Sequence, residues 1–254
     1  MTPKTVLITG ASSGIGRALA LEYAKAGAKV ALVARRIESL NEVAQEVRAL
    51  GGEPLVLVAD VTKSETVHKA VGDAIATFGG LDMVIANAGV GGTKHAKEIS
   101  WAFSEQMIDA NVNGAVATLV SAIPHMVERG SGQLVGVSSI AGLRALPNSA
   151  VYSASKAALS TFLEAIRIDL RATGVKVTDV QPGFVTTPMT DKNTFKMPFK
   201  WPVEKAAKVI TERLQKAPSV IAFPWPLVTA LRFARLLPNA LYDRLVSAAD
   251  PRGL

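Results

Sequence analysis

The chain contains no cysteine, which removes disulfide staples and thiolate chemistry together. Its only histidines, His68, His95 and His125, share no spacing that suits a metal site. No catalytic metal is expected. Apolar runs of roughly 18 residues, long enough to span a bilayer, are missing too. The opening residues, MTPKTVLITG, enter a strand-like run at once, without the basic start, apolar stretch and cleavage site of a signal peptide. Together with the missing cysteines this fits a reducing compartment, so a cytoplasmic location is expected. The net charge is +7, yet the basic residues are scattered, with no run beyond Arg35–Arg36. Nucleic acid is a poor partner on that pattern, and an anionic cofactor is a better use of the charge. Linkers, repeats and low-complexity tracts are also missing, so residues 1–254 are expected to form a single domain.

What fills the chain is an alternation. Runs rich in Val, Ile and Leu occur at 5–9, 29–34, 54–59, 81–86, 132–138, 175–180 and 219–223, and each reads as a buried strand. Between them the apolar spacing predicts helices over 14–26, 37–50, 64–78, 101–129, 151–173 and 203–216. Continuous apolar strands alternating with helices predict an α/β fold, one doubly wound parallel sheet of about seven strands with helices on both faces. Ligands of such sheets bind beyond the carboxyl ends of the strands. Here those ends read TGASSGIG, ARR, ADVT, ANAG, SSIAG and QPGFVTT.

TGASSGIG follows the first strand and opens the first helix. Gly10, Gly14 and Gly16 allow a tight turn and close backbone approach, with Ser12, Ser13 and Ile15 between them. The helix start then offers free N–H groups to a pyrophosphate. At the end of the second strand, LVARRIE puts Ala34 where an NAD site would carry an acid to hold the ribose 2′-hydroxyl. Arg35 follows, and an arginine suits a 2′-phosphate, so NADPH is favoured over NAD. Arg36 reads as a solvated helix-start residue, and Arg17 either adds positive charge or faces solvent.

PNSAVYSASKAAL sets Tyr152 and Lys156 four residues apart among serines and alanines. On a helix these two share a face, and an ammonium beside a phenol lowers its pKa. Alone, the pair also fits an ordinary amphipathic helix. TGASSGIG, ANAG, NVNG, the serine pair and YSASK occur in order over roughly residues 4–190, and the set resembles the short-chain dehydrogenase/reductase family. That resemblance implies a Rossmann-type fold and a proton relay. Tyr152 would be the general acid or base, and Lys156 would lower its pKa and bind the nicotinamide ribose. Ser139, thirteen residues before Tyr152, would hold the substrate oxygen, with Ser138 as its competitor. Asn111 would hold the water that links the relay to Lys156. Asp60 and Val61 would contact adenine, and Asn87, Ala88 and Gly89 the adenosine ribose. The ANAG stretch departs from the family's usual NNAG by Ala86. Pro182 and Gly183 would bend the chain beside the nicotinamide, whose carboxamide would meet the Val185 backbone and Thr187.

The matching motifs stop near residue 190. Residues 185–205 read as a substrate lid, with Met189, Phe195, Met197 and Phe199 as its apolar inner surface if they face inward. Residues 226–254 form a C-terminal extension, in which 227–237 makes a basic amphipathic helix carrying Arg232 and Arg235. That helix suits a subunit interface, a cap over the cleft or contact with a membrane surface. His95 stands near the expected mouth, either against substrate or in an ordinary loop, and Arg144 suits an acidic substrate or a surface contact. A hydrolase fits poorly, since no G-x-S-x-G elbow accompanies the serine pair. The reading is an NADPH-dependent reductase of a hydrophobic ketone or aldehyde, reversibly an alcohol dehydrogenase, and a homodimer or homotetramer as the resemblance implies. Alternatives are an NADPH-binding sensor or scaffold without turnover, and a membrane-surface reductase of lipidic ketones.

Overall fold

The computed structural model describes residues 3–193 and 195–249. Thr194 of the expected lid and 250–254 of the expected C-terminal extension lie outside the described residues. Seven strands, β1 (Thr5–Thr9), β2 (Lys29–Ala34), β3 (Glu53–Val58), β4 (Met83–Ala86), β5 (Gly132–Val137), β6 (Val175–Pro182) and β7 (Val220–Phe223), make one sheet. All pairings are parallel, in the order β3-β2-β1-β4-β5-β6-β7. The strands lie where the apolar runs put them. β4 starts two residues late, and β6 runs on to Pro182.

Both faces of the sheet are covered, which is why the strands are apolar on both sides. Val6 and Ile8 of β1 point to a layer made by α1 (Gly14–Lys25), α2 (Ile37–Ala49) and α7 (Val203–Leu214). Leu7 points the other way, toward α3 (Ser64–Phe78), α5 (Gly114–Glu128) and α6 (Ala150–Asp169). Strand order reverses between β1 and β4, and that opens a crevice beyond their carboxyl ends.

One expected helix is not continuous. Where the periodicity predicts a helix over 101–129, α4 (Trp101–Ile108) gives way to a wider π-type turn at Asp109–Asn113, and α5 resumes at Gly114. A π turn adds a residue to the helix and re-aims its neighbours. Asn111 sits in that turn with no exposed surface. Gly114 then lets the helix pass Val61, since a Cβ there would come within 2.7 Å of the Val61 carbonyl oxygen.

After β7 the chain forms α8 (Trp225–Leu236) and α9 (Asn239–Ala249). Among the described residues no helix is long and apolar enough to cross a membrane. The core position of Leu7, fully buried between β2 and β4, makes a direct test. Leu7→Ala should cost about 2–5 kcal/mol in urea unfolding. A loss below about 1 kcal/mol would contradict its placement against the helices.

Candidate active site

Along the carboxyl edge of the sheet, from the end of β3 to the end of β6, runs a cleft of about 410 Å³. Every residue expected to contact cofactor lines it except Gly16, and Ser139, Tyr152 and Lys156 line it too. Gly16 faces back into the loop. A Cβ there would fall 2.4 Å from the Gly10 carbonyl oxygen and 2.5 Å from Asn87 Nδ2. The glycine is thus where α1 packs against its own loop. Gly10 has φ 69°, and its Cβ would come 2.8 Å from Ala88 Cα, so both backbone shape and crowding exclude a side chain. Asn87 secures the crossing. Its Nδ2 donates to the Thr9 carbonyl at 3.0 Å, and its backbone N–H donates to Thr9 Oγ1 at 3.1 Å.

The start of α1 faces this cleft. Ser13 precedes it in extended conformation and makes no side-chain capping bond. The first helical amides are therefore left for a partner in the cleft. At the end of β2, Arg35 and Arg36 both line the cleft, and neither pairs with a carboxylate among the described residues. Arg36 is the exposed N-cap of α2, so the reading as a solvated helix-start residue holds, and it borders the cleft as well. Its extended backbone (φ −95°, ψ 108°) is that of a residue capping a helix start. Arg17 does not line the cleft and pairs with Glu46 at 2.5 Å. Asp60 Oδ1 accepts from the Thr62 N–H at 3.0 Å and its hydroxyl at 2.9 Å, which fixes the turn at the end of β3.

The chemically rich end lies beyond β5 and β6. Lys156, 5% exposed on α6, donates from Nζ to the Val137 carbonyl at 2.8 Å. Burial pushes its pKa down to about 8, and the negative charge of Asp179 opposes that fall. Tyr152 is half-buried, and its pKa is raised by burial, with the Ser139 hydroxyl pulling the other way. The expected lowering of Tyr152 by Lys156 is therefore not what the free site gives. The ammonium donates to Val137 and lies 5.9 Å from the phenol ring centre, and burial is the largest influence on the phenol.

Asn111 does not reach the cleft. Its Nδ2 donates to the Val90 carbonyl and to Ser155 Oγ, both at 3.0 Å, while Oδ1 accepts from Val90 N–H at 2.7 Å. Both amide hydrogens are used, so the side chain braces rather than binds. Ser155, which sequence reasoning missed, passes the brace to the Tyr152 carbonyl at 2.8 Å. Asp179 was missed as well. It is 5% exposed, accepts from the Ser138 hydroxyl and takes Gln181 Nε2 at 2.7 Å. An acid inside an apolar strand, in VKVTDVQP, was the available signal. Both serines line the cleft, but the Ser138 hydroxyl is committed to Asp179, while Ser139 Oγ reaches the Pro182 carbonyl at 3.3 Å.

The segment after Val185 folds back on itself. Thr186 N–H donates to Trp201 O at 2.8 Å, and Trp201 N–H to Phe184 O at 2.9 Å. Of its four expected inward residues, Met189 lines the cleft and stands close to Gly91, as does the Tyr152 ring. Phe199 instead points outward at 57% exposure, because its positive φ of 56° turns the chain there. His95 accepts from Lys97 N–H at 3.3 Å, His125 from Leu81 N–H at 3.4 Å, and His68 bonds Ser121; none lines the cleft. No cluster of three metal-ligating side chains occurs among the described residues. Arg144 is a surface contact, donating to Asn239 Oδ1 at 2.9 Å and lying 4.3 Å over the Tyr242 ring.

Comparison with known proteins agrees with this geometry. A family model described as short chain dehydrogenase matches residues 4–197. An uncharacterized oxidoreductase of Myxococcus xanthus (strain DK1622) is 46% identical over 243 residues, 96% of each chain. A short chain dehydrogenase/reductase from Burkholderia phymatum, solved in complex with NAD, superposes with a TM-score of 0.85 at 25% identity. It covers 99% of this chain and 98% of its own. An alcohol dehydrogenase from the archaeon Thermococcus sibiricus, complexed with 5-hydroxy-NADP, gives 0.79 at 28% identity, with 87% and 95% covered. With a matching family model over most of its length and a close relative along nearly all of it, the chain belongs to the short-chain dehydrogenase/reductase family.

Proposed function

We propose that this protein is a reductase of apolar ketones or aldehydes that prefers NADPH and uses Tyr152 as its acid. One observation carries the reading. A phenol, a hydroxyl and an ammonium meet at one end of a cleft whose other end has a glycine turn, an uncapped helix start and two arginines without an ion-pair partner among the described residues. Those features fit a dinucleotide. The α1 amides and the loop of Gly10 to Ile15 would take its pyrophosphate, and Arg35 with Arg36 a 2′-phosphate. When bound, the nicotinamide supplies the hydride.

The residues of this chain supply the proton and the orientation. Burial keeps the Tyr152 phenol protonated across neutral pH, which suits an acid toward a carbonyl oxygen. Ser139 stands beside it as the second donor to that oxygen. Lys156 adds positive charge and ribose contacts, and Asn111 with Ser155 holds the first turn of α6 in place. Met189 and Val90 make the wall near Tyr152 apolar, and this favours a hydrophobic substrate. NADPH oxidation against ketones and aldehydes of graded size tests the reading. Tyr152→Phe should lower turnover by about 10²–10⁴-fold while NADPH still binds. Undiminished turnover in that variant would remove Tyr152 from the chemistry, and NADPH binding without turnover on any carbonyl would favour the sensor.

The pH dependence has a definite sign. The Lys156 ammonium is present below its pKa and lost as pH rises through about 8, so reduction should fall on the alkaline side near that value. The Asp179 charge raises this pKa, so Asp179→Asn should move the alkaline fall to lower pH. A purely structural Asp179 would lower activity or melting temperature without moving the limb. For the cofactor, Arg35→Asp should reduce the NADPH-to-NADH preference by about 10–100-fold, the worth of one or more charge-assisted bonds. Unchanged selectivity in the binding constants would displace the phosphate site from the end of β2.

A further inference from the structure

The C-terminal helices carry a surface that the reaction does not use. α8 packs inward through Val228, which is buried, but its outward side is bare. Trp225 is 77% exposed, Phe233 67% and Leu236 79%. On the helical period Trp225, Arg232 and Leu236 follow one line, with Phe233 on one flank and Arg235 on the other. Neither arginine has an ion-pair partner among the described residues, and α8 contains no carboxylate. The pattern continues on α9, where Leu241 and Leu245 are exposed on the same side as Arg244. Tyr242 fastens α9 to the body, its hydroxyl donating to the Ala145 carbonyl at 2.6 Å. That carbonyl belongs to the loop joining Ser139 to Tyr152.

Large apolar groups set together on a surface mark a contact site. We infer that the α8–α9 face docks on an anionic lipid surface, its apolar side chains entering the headgroup boundary and Arg232, Arg235 and Arg244 meeting lipid phosphates. Charge complementarity selects this occupant. A second copy seated two-fold on α8 would set arginine against arginine, with no α8 carboxylate to receive them. On α8, aromatic and leucine side chains with arginines as the only charges are the composition of an interfacial helix. The one carboxylate of α9 among the described residues, Asp243, lies on the side of that helix away from Leu241 and Leu245. The helices are too short and too charged to cross, so the contact is with the surface. The inference stands apart from the reductase reading, because none of these side chains lines the cleft.

Co-sedimentation of the full chain with vesicles tests it, comparing phosphatidylcholine alone with phosphatidylcholine containing one quarter phosphatidylglycerol. The protein should pellet with the anionic vesicles only, and less as salt rises. Trp225→Ser with Phe233→Ser should abolish pelleting, and each of Arg232→Gln and Arg235→Gln should lower the partition coefficient about fivefold. Melting temperatures should not change, since these side chains are exposed. Three results would overturn the inference. One is no pelleting with anionic vesicles at low salt. Another is pelleting that these variants leave unchanged, which would assign it to net charge alone. The third is a fall in oligomer mass in the Trp225/Phe233 variant without vesicle binding, which would make the face a contact between copies.

Discussion

Lys156 carries its ammonium into a nearly dry position at the end of β5, and the working edge of the sheet is arranged around the cost of doing so. A buried charge is unfavourable unless neighbouring groups compensate. Here the compensation is one backbone carbonyl, that of Val137 at 2.8 Å, and the charge of Asp179 on the adjacent strand. The two fall short of full repayment, which is why the pKa settles near 8. Asp179 is in turn held by Ser138 and Gln181, so the serine next to Ser139 is locked by the acid that steadies the lysine. Next to Lys156 on α6, Ser155 ties the carbonyl of Tyr152, one turn back, to Asn111 and through it to Val90. Lysine, tyrosine and serine are thus positioned by partners that lie far from them in sequence.

The fold makes that convergence possible. A parallel sheet sends every strand end to one edge, so loops that are distant in the chain share a rim. Crowding fixes the nearest approach, between the Gly10 turn and the Asn87–Ala88 end of β4, where no Cβ fits. The same edge has a polarity. Arginines and uncapped amides lie toward β2 and β1, and titratable donors toward β5 and β6. An elongated anionic cofactor with a reactive end matches that gradient.

Much of this was legible in the sequence because it is local. Strands covered on both sides are uniformly apolar, the glycine turn has fixed spacing, and Tyr152 and Lys156 stand one helical turn apart. What was not legible depends on contacts across the chain. The π turn at Asp109–Asn113 interrupts a helix whose apolar spacing gives no break, and it is Val90 and Ser155 that hold Asn111 there. The raised pKa of Tyr152 follows from burial, which a spacing of four residues does not encode. Arg36 is the solvated helix start that the local sequence suggests. Its place beside the cleft, however, follows from where the sheet edge lies and not from its neighbours in the chain. Phe199 looked like an inward lid residue, and a positive φ turns it outward. Arg144 had two readings, and the choice between them rests on Tyr242, almost a hundred residues later in the chain.

The most direct test of this account is the titration of Lys156 itself in the free protein, followed by NMR of isotope-labelled lysine and assigned with Lys156→Met. A midpoint near 8, well separated from the other lysines, is the predicted result. A midpoint near the ordinary 10.5 would mean that Lys156 is solvated or fully paired, and would contradict the arrangement from which the rest of the account is built.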